Sequence, residues 1–159
     1  MLIRIAAIGR LKRGPLADLA EDYRKRVAQQ GRGLGVTGCE IAEAEAKRGL
    51  AGAALMAAEG DLLRRQIPPQ AVVIALDERG TSEPSPAFAE RLGGYLQTSR
   101  PLCFLIGGAD GLEPTLRDEA DHRLALGAMT WPHMMARVLV LEQIYRAVSI
   151  LTNHPYHRD

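Results

Sequence analysis

The run Leu102-Cys-Phe-Leu-Ile106 stops at Gly107-Gly108-Ala-Asp-Gly111. A continuous apolar stretch bounded by Pro101 and glycine predicts a buried strand. Gly107, Gly108 and Gly111 then permit positive φ, or close approach of a ligand to the main chain. A second strand, predicted over His122–Leu126, also ends at glycine and continues as Ala128-Met-Thr-Trp-Pro-His133. Pro132 suits a first helical turn, where its missing N–H is no loss. Two glycine-ended strands in succession are either two walls of one small-molecule site or two ordinary βα turns.

The rest of the chain alternates around this pair. Strand Leu2–Ile8 leads to a helix over Leu16–Gln30, whose Leu16, Leu19, Ala20, Tyr23 and Val27 share one face. A strand is expected over Val36–Ile41, then an Ala- and charge-rich helical stretch, Ala42–Ile67, stopped by Pro68-Pro69. Ala71–Leu76 is β-branched and apolar, as expected of a strand covered on both faces, and Asp77–Gly80 reads as the turn that ends it. Helices are predicted at Pro84–Thr98, near Glu113–Glu119 and over Pro132–Thr152. The last is apolar on nearly every side, so it is either central in the core or buried against another chain. The pattern is that of one α/β domain over residues 1–159, with a largely parallel sheet of about five strands flanked by helices.

With 47% apolar and 25% charged residues, 159 residues suffice for a real core. No apolar run approaches the roughly 20 residues of a membrane span, and the opening Leu2–Ile8 is no signal peptide, so a cytoplasmic protein is expected. Cys39 and Cys103 lie in strand-like runs and read as buried free thiols. Charge is uneven: residues 1–32 carry eight Lys/Arg against three acids, +5, which leaves −4 for the remainder. An RNA-binding footprint and a solvated helix face both produce such a bias.

Several chemistries are excluded. Gly9-Arg-Leu-Lys-Arg-Gly14 has P-loop glycine spacing, but Pro15-Leu16 stands where Lys-Ser/Thr is required. There is no G-x-G-x-x-G opening a helix after a strand and no G-x-S-x-G elbow. His154 and His157 are too few for zinc, so no metal is expected. What remains is a glycine-walled pocket at the carboxyl ends of strands. Leu76, Gly108 and the stretch Gly127, Ala128, Met129, Thr130, Trp131, Pro132 converge there if their strands are neighbours. Main-chain groups would read an adenine edge while Leu76, Leu126 and Met129 sandwich its ring. Without a phosphate cradle, an adenosine-type cofactor lacking phosphates is favoured, and S-adenosyl-L-methionine meets that description.

Leu76-Asp-Glu-Arg-Gly80, Phe104-Leu-Ile-Gly-Gly-Ala-Asp-Gly-Leu112 and Ser149-Ile-Leu-Thr-Asn-His-Pro-Tyr-His-Arg158 together resemble the RlmH family of SPOUT-class enzymes, in the same order over essentially the whole chain. Two departures are visible: Gly80-Thr81 where the family often has Gly-Lys, and Ala109-Asp110 where it often has Pro-Glu. The resemblance implies a C-terminal trefoil knot, S-adenosyl-L-methionine held by the knotted loops, and an obligate homodimer. It further implies methylation of N3 of a pseudouridine in 23S rRNA, on the ribosome.

For such a reaction the protein must place a nitrogen in line with the methyl group and help it lose a proton. His154, Tyr156, His157 and Arg158 are the candidate catalytic residues, with histidine the natural proton acceptor. The alternative is that the tail closes over the site while Arg158 grips phosphate. The tail, Asn153–Asp159, is polar and is expected to contribute little to the core. Methylation of a different RNA and a non-catalytic adenosine- or ribosome-binding module are the other readings that the residues admit.

Overall fold

The computed structural model describes residues 1–158. It contains strands β1 (Leu2–Ile8), β2 (Gly38–Ala44), β3 (Val72–Ser82), β4 (Leu102–Ile106) and β5 (His122–Ala125). The helices are α1 (Pro15–Gln30), α2 (Gly52–Gln66), α3 (Ser85–Gln97), α4 (Pro114–Glu119) and α5 (His133–Leu151). All five strands are parallel, in the order β2-β1-β4-β3-β5. Alternate residues of the central strands feed opposite layers, as a two-residue period requires. Ile3, Ile5, Ile74, Leu102 and Phe104 pack against α1, α3 and α5, whereas Ala6, Ala75, Cys103 and Leu105 face Leu63 of α2 and Leu116 of α4. β4 is buried at every residue, which is what its unbroken apolar run demands.

Two expected boundaries are corrected by strand pairing. β2 is not Val36–Ile41, and Ala42 does not begin a helix: β2 pairs with β1 from Leu2↔Gly38 to Ile8↔Ala44. A full-length partner outweighs the helix propensity of Ala and Glu there, and α2 begins only at Gly52. β3 does not end at Leu76 either. Leu124 pairs with Leu76 and again with Thr81, so β3 meets β5 twice. Between the two meetings Asp77–Gly80 leaves the ladder and passes over the main chain of β5. A β-carbon on Gly80 would lie 2.7 Å from the Arg123 carbonyl and 2.9 Å from the Leu124 nitrogen. At the other end, β5 stops at Ala125, one residue short of the expected limit.

Most of the apolar character of α5 is accounted for within one chain, although Met135 is exposed and Leu139 half-buried. Val138, Val140, Leu141, Ile144, Tyr145, Ala147 and Val148 are all buried, between the sheet and the helices α1 and α3. A Schellman motif ends the helix: Asn153 takes φ +54°, its N–H donates to the Ile150 carbonyl and that of His154 to Ser149. The tail then folds back. The Tyr156 ring lies 4.6 Å from that of Tyr145, and its hydroxyl donates to Glu142 (3.0 Å) beside the Tyr23 hydroxyl at 3.1 Å. The tail therefore does contribute to packing, contrary to expectation. Asp159 lies outside the described residues. Cys39 and Cys103 are free and buried, and burial pushes both thiols up to about 12.

Because the neighbour of Gly80 is main chain, which cannot swing aside, Gly80→Ala should destabilise the protein by about 1–3 kcal/mol. Urea unfolding of the two proteins checks this. An unchanged midpoint would show that the two main chains do not approach this closely at Gly80.

Candidate active site

The carboxyl ends of β3, β4 and β5 open onto a cavity of about 400 Å³. Three loops wall it: Leu76–Arg79 after the first part of β3, Gly107–Leu112 after β4, and Leu126–Trp131 after β5, with His133 and Ala136 of α5 beneath. Its glycines have distinct reasons. A β-carbon on Gly107 would collide with the Gly111 carbonyl group, so the second loop folds back on itself. That return needs Gly111 at φ +85°, and its N–H donates to the Gly108 carbonyl at 3.0 Å. Gly127 takes φ +112°, a conformation that L side chains rarely adopt.

Of the residues expected to hold a cofactor, Leu76, Gly108, Gly127, Met129, Thr130 and Trp131 line the cavity. Ala128 is exposed and outside the lining. Pro132 is also outside it and serves as the cap of α5, its carbonyl accepting from the N–H groups of Met135 and Ala136. At Gly108 the absent side chain would point at the Glu59 carboxylate, 2.8 Å away, and not into the cavity. A bulky residue there would push Glu59 aside before it reached a ligand. The third loop is pinned by two bonds: Thr130 donates to Glu78 (2.9 Å) and the Trp131 indole to the Leu126 carbonyl (3.2 Å). Met129 stands at the rim, 77% exposed.

The tail residues are not in this cavity. α5 separates them, since its 19 residues span roughly 28 Å at 1.5 Å each. Tyr156 lies on Tyr145 and Glu142, and Arg146 approaches Nδ1 of His157 at 3.4 Å, all on the far half of the helix. The His154 N–H is engaged in the cap, and its Nδ1 accepts from the Tyr156 N–H at 3.3 Å. Burial, with Tyr23 and Glu142 beside it, pushes the Tyr156 phenol well above the usual tyrosine range, so it is a neutral donor. Arg158 is exposed.

The histidine that does line the cavity is His133, which sequence reasoning passed over. Its Nε2 stands 3.4 Å from where a β-carbon on Gly9 would lie, just past the end of β1. Four residues on, on the same helical face, Arg137 is completely buried. It donates to the Ile8 and Gly9 carbonyls, each at 3.0 Å, and pairs with Glu43 at 2.6 Å. Burial first, and the Arg137 charge second, hold His133 below the usual histidine range. The signal was legible in hindsight: an arginine amid the apolar residues of α5, one turn after a Pro-His helix start.

A family model described as a predicted SPOUT methyltransferase matches residues 1–157. The chain belongs to the SPOUT methyltransferase family. Among relatives of this SPOUT chain is a protein of Paracoccus denitrificans named ribosomal RNA large subunit methyltransferase H, 50% identical over the whole of both chains. Its namesake in Dinoroseobacter shibae is 49% identical over 99% of each. The fold is shared with a probable methylase family protein from Haemophilus influenzae Rd KW20, with a TM-score of 0.50 at 14% identity. That match covers 99% of this chain and 70% of the other. Among the described residues of the SPOUT chain no cluster of three or more metal-ligating side chains occurs, and no helix is long and apolar enough to cross a membrane.

Since the folded protein lowers the pKa of His133, the unfolded chain takes up the proton first as pH falls. The stability that His133 supports is complete above roughly pH 6.5 and lost below it. Melting temperatures between pH 7.5 and 5 should therefore fall less steeply for His133→Gln than for the unmodified SPOUT protein. Parallel curves would place His133 in water.

Proposed function

We propose that this chain transfers the methyl group of S-adenosyl-L-methionine to N3 of a pseudouridine in 23S rRNA, acting as a cytoplasmic homodimer on the assembled ribosome. The observation that carries the cofactor is the cavity itself. Its volume suits a nucleoside-sized ligand. The second loop is closed so tightly that main chain, not side chain, forms the wall. Carboxylates of Asp77, Glu78 and Asp110 outnumber the one guanidinium, Arg79, in its lining, which favours a cationic ligand and disfavours a phosphate. The substrate is supported by what relatives about half identical over full length are named for, methylation of large-subunit ribosomal RNA.

When bound, the cofactor supplies an activated methyl, whose bond to sulfur breaks as a bond to nitrogen forms. The work of this chain is positional. Leu76, Leu126 and Ile106 offer apolar surface to an adenine ring, and main-chain groups of Gly127–Thr130 can read its edge. The imide proton of the base must leave, and the residues expected to assist, His154, Tyr156, His157 and Arg158, stand at the far end of α5 from their own cavity. A second copy of the chain is the means by which a tail reaches a cavity. This is the main ground for the homodimer, because most of α5 is already buried in its own core. In the same reading, the crossing at Gly80 is part of the trefoil knot that the resemblance implies.

Two measurements test this. Ala136→Phe puts a ring into the cavity floor and should weaken cofactor binding, followed by calorimetry, more than tenfold with the fold retained. The composite site is tested by mixing chains, using His154→Ala/Arg158→Ala so that Tyr156 keeps its packing. Each variant alone should be nearly inactive on ribosomes. Co-expressed, they should recover about a quarter of normal activity, since half of the dimers are mixed and each mixed dimer has one intact site. No recovery, with mixed dimers demonstrated, would refute the shared site. Nucleoside mass mapping that places the methyl on another base or on tRNA would refute the substrate.

A further inference from the structure

The proposed activity brings the cavity up to a polyanion, and one side of the molecule is built to receive it. β1 and β2 lie side by side and end at the same end of the parallel sheet as the strands that open onto the cavity. The loops that follow them, residues 9–14 and 45–51, carry exposed Arg10, Lys12, Arg13, Lys47 and Arg48. Their one carboxylate is Glu45, 4.0 Å from Arg10; Glu43, at the end of β2, is engaged by Arg137. Lys12, Arg13, Lys47 and Arg48 have no side-chain hydrogen bond or ion pair to any described residue.

This contrasts with the other basic stretch of the N-terminal segment. On α1, Arg24 and Lys25 face Glu21, and Arg26 faces Asp22 at 2.8 Å. Arg4 on β1 is matched by Glu40 at 2.6 Å. The helix face is thus internally neutralised, and the positive excess of residues 1–32 is carried by the 9–14 loop and Arg32. A solvated helix face does not account for the asymmetry; an unmatched rim beside the cavity does.

The first loop is also held still. The Gly9 N–H donates to the Ala44 carbonyl at 2.8 Å and the Leu11 N–H to Glu43 at 3.1 Å, while the Gly9 carbonyl accepts from buried Arg137. The backbone that carries its charges is therefore anchored at Gly9 and Leu11, beside His133 and the cavity floor, which lowers the ordering cost of using them.

We propose that loops 9–14 and 45–51 form a cationic rim that grips RNA phosphates flanking the target nucleotide, fixing how the strand lies across the cavity. The inference rests on the proposed RNA methylation and assigns the residues that position the substrate. Such contacts carry no sequence information but set register, and they weaken with salt.

The test compares Lys12→Ala/Arg13→Ala with a control of equal charge change elsewhere, Arg32→Ala/Arg65→Ala. For each, methyl transfer to ribosomes is followed across a salt series, with cofactor affinity measured in parallel. The rim variant should show KM raised roughly tenfold at moderate salt, kcat within about twofold and cofactor affinity unchanged. Its logarithmic salt slope should shrink by roughly 1.5, as expected for two lost phosphate contacts. The control should match the unmodified protein. A rim variant with unchanged KM and slope, while the unmodified protein methylates ribosomes, would overturn the rim and leave the activity standing. Absence of methyl transfer to any RNA by the unmodified protein would instead overturn the reading beneath it.

Discussion

The buried guanidinium of Arg137 holds together the parts of this molecule that have to meet. From the first turns of α5 it reaches the last carbonyls of β1 and the Glu43 carboxylate of β2. One side chain thereby satisfies two backbone carbonyls and pairs with a carboxylate that also accepts from the Leu11 N–H. Removing one member of such a pair costs about 3–5 kcal/mol, a large share of a typical total near 5–15 kcal/mol. The same bond network fixes α5 against the strand ends. It thereby sets the cavity floor, His133 and Ala136, and the start of the basic loop at Gly9.

Much of this was legible in the chain because local signals and tertiary needs agree. Leu102–Ile106 reads as a fully covered strand and is one, since only a two-sided layer accommodates five consecutive apolar residues. The ends of α1, α3 and α4 fall within a residue of where proline and propensity place them. The glycine loops were correctly joined into one cavity once the strand order set β3, β4 and β5 side by side. What failed, failed where a distant partner decides. Ala42–Ala44 has helical composition but is claimed by β1, and Asp77–Gly80 has turn composition but is the passage between two pairings with one strand.

At the site the limits were of a different kind. Residue type shows capability and not location. The tail is rich in groups that move protons or stack, yet in its own chain it lies along the outer half of α5, where Tyr156 is a packing residue with a polar tip. Ala128 and Pro132 share a loop with true lining residues but face away or cap a helix. Conversely, a histidine at a helix start carries no periodic signal, and the burial that tunes His133 exists only after β1 has been laid against α5. Charge told a similar story: the bias of the first 32 residues was visible, but pairing on α1 had to be seen before the unmatched part could be placed.

The passage of Asp77–Gly80 over β5 has a consequence for the order of events in synthesis. β1, α1 and β2 form an early unit with short-range connections, and the chain can settle them as they emerge. β5 meets both stretches of β3, some forty or more residues back along the chain, and its register is defined only when both are available. Contacts of that sequence separation are slow to form. Every wall of the cavity belongs to residues 76–136, so the binding site is a late product of folding. A nascent or partly folded chain presents its basic N-terminal segment well before it has anywhere to hold a methyl donor.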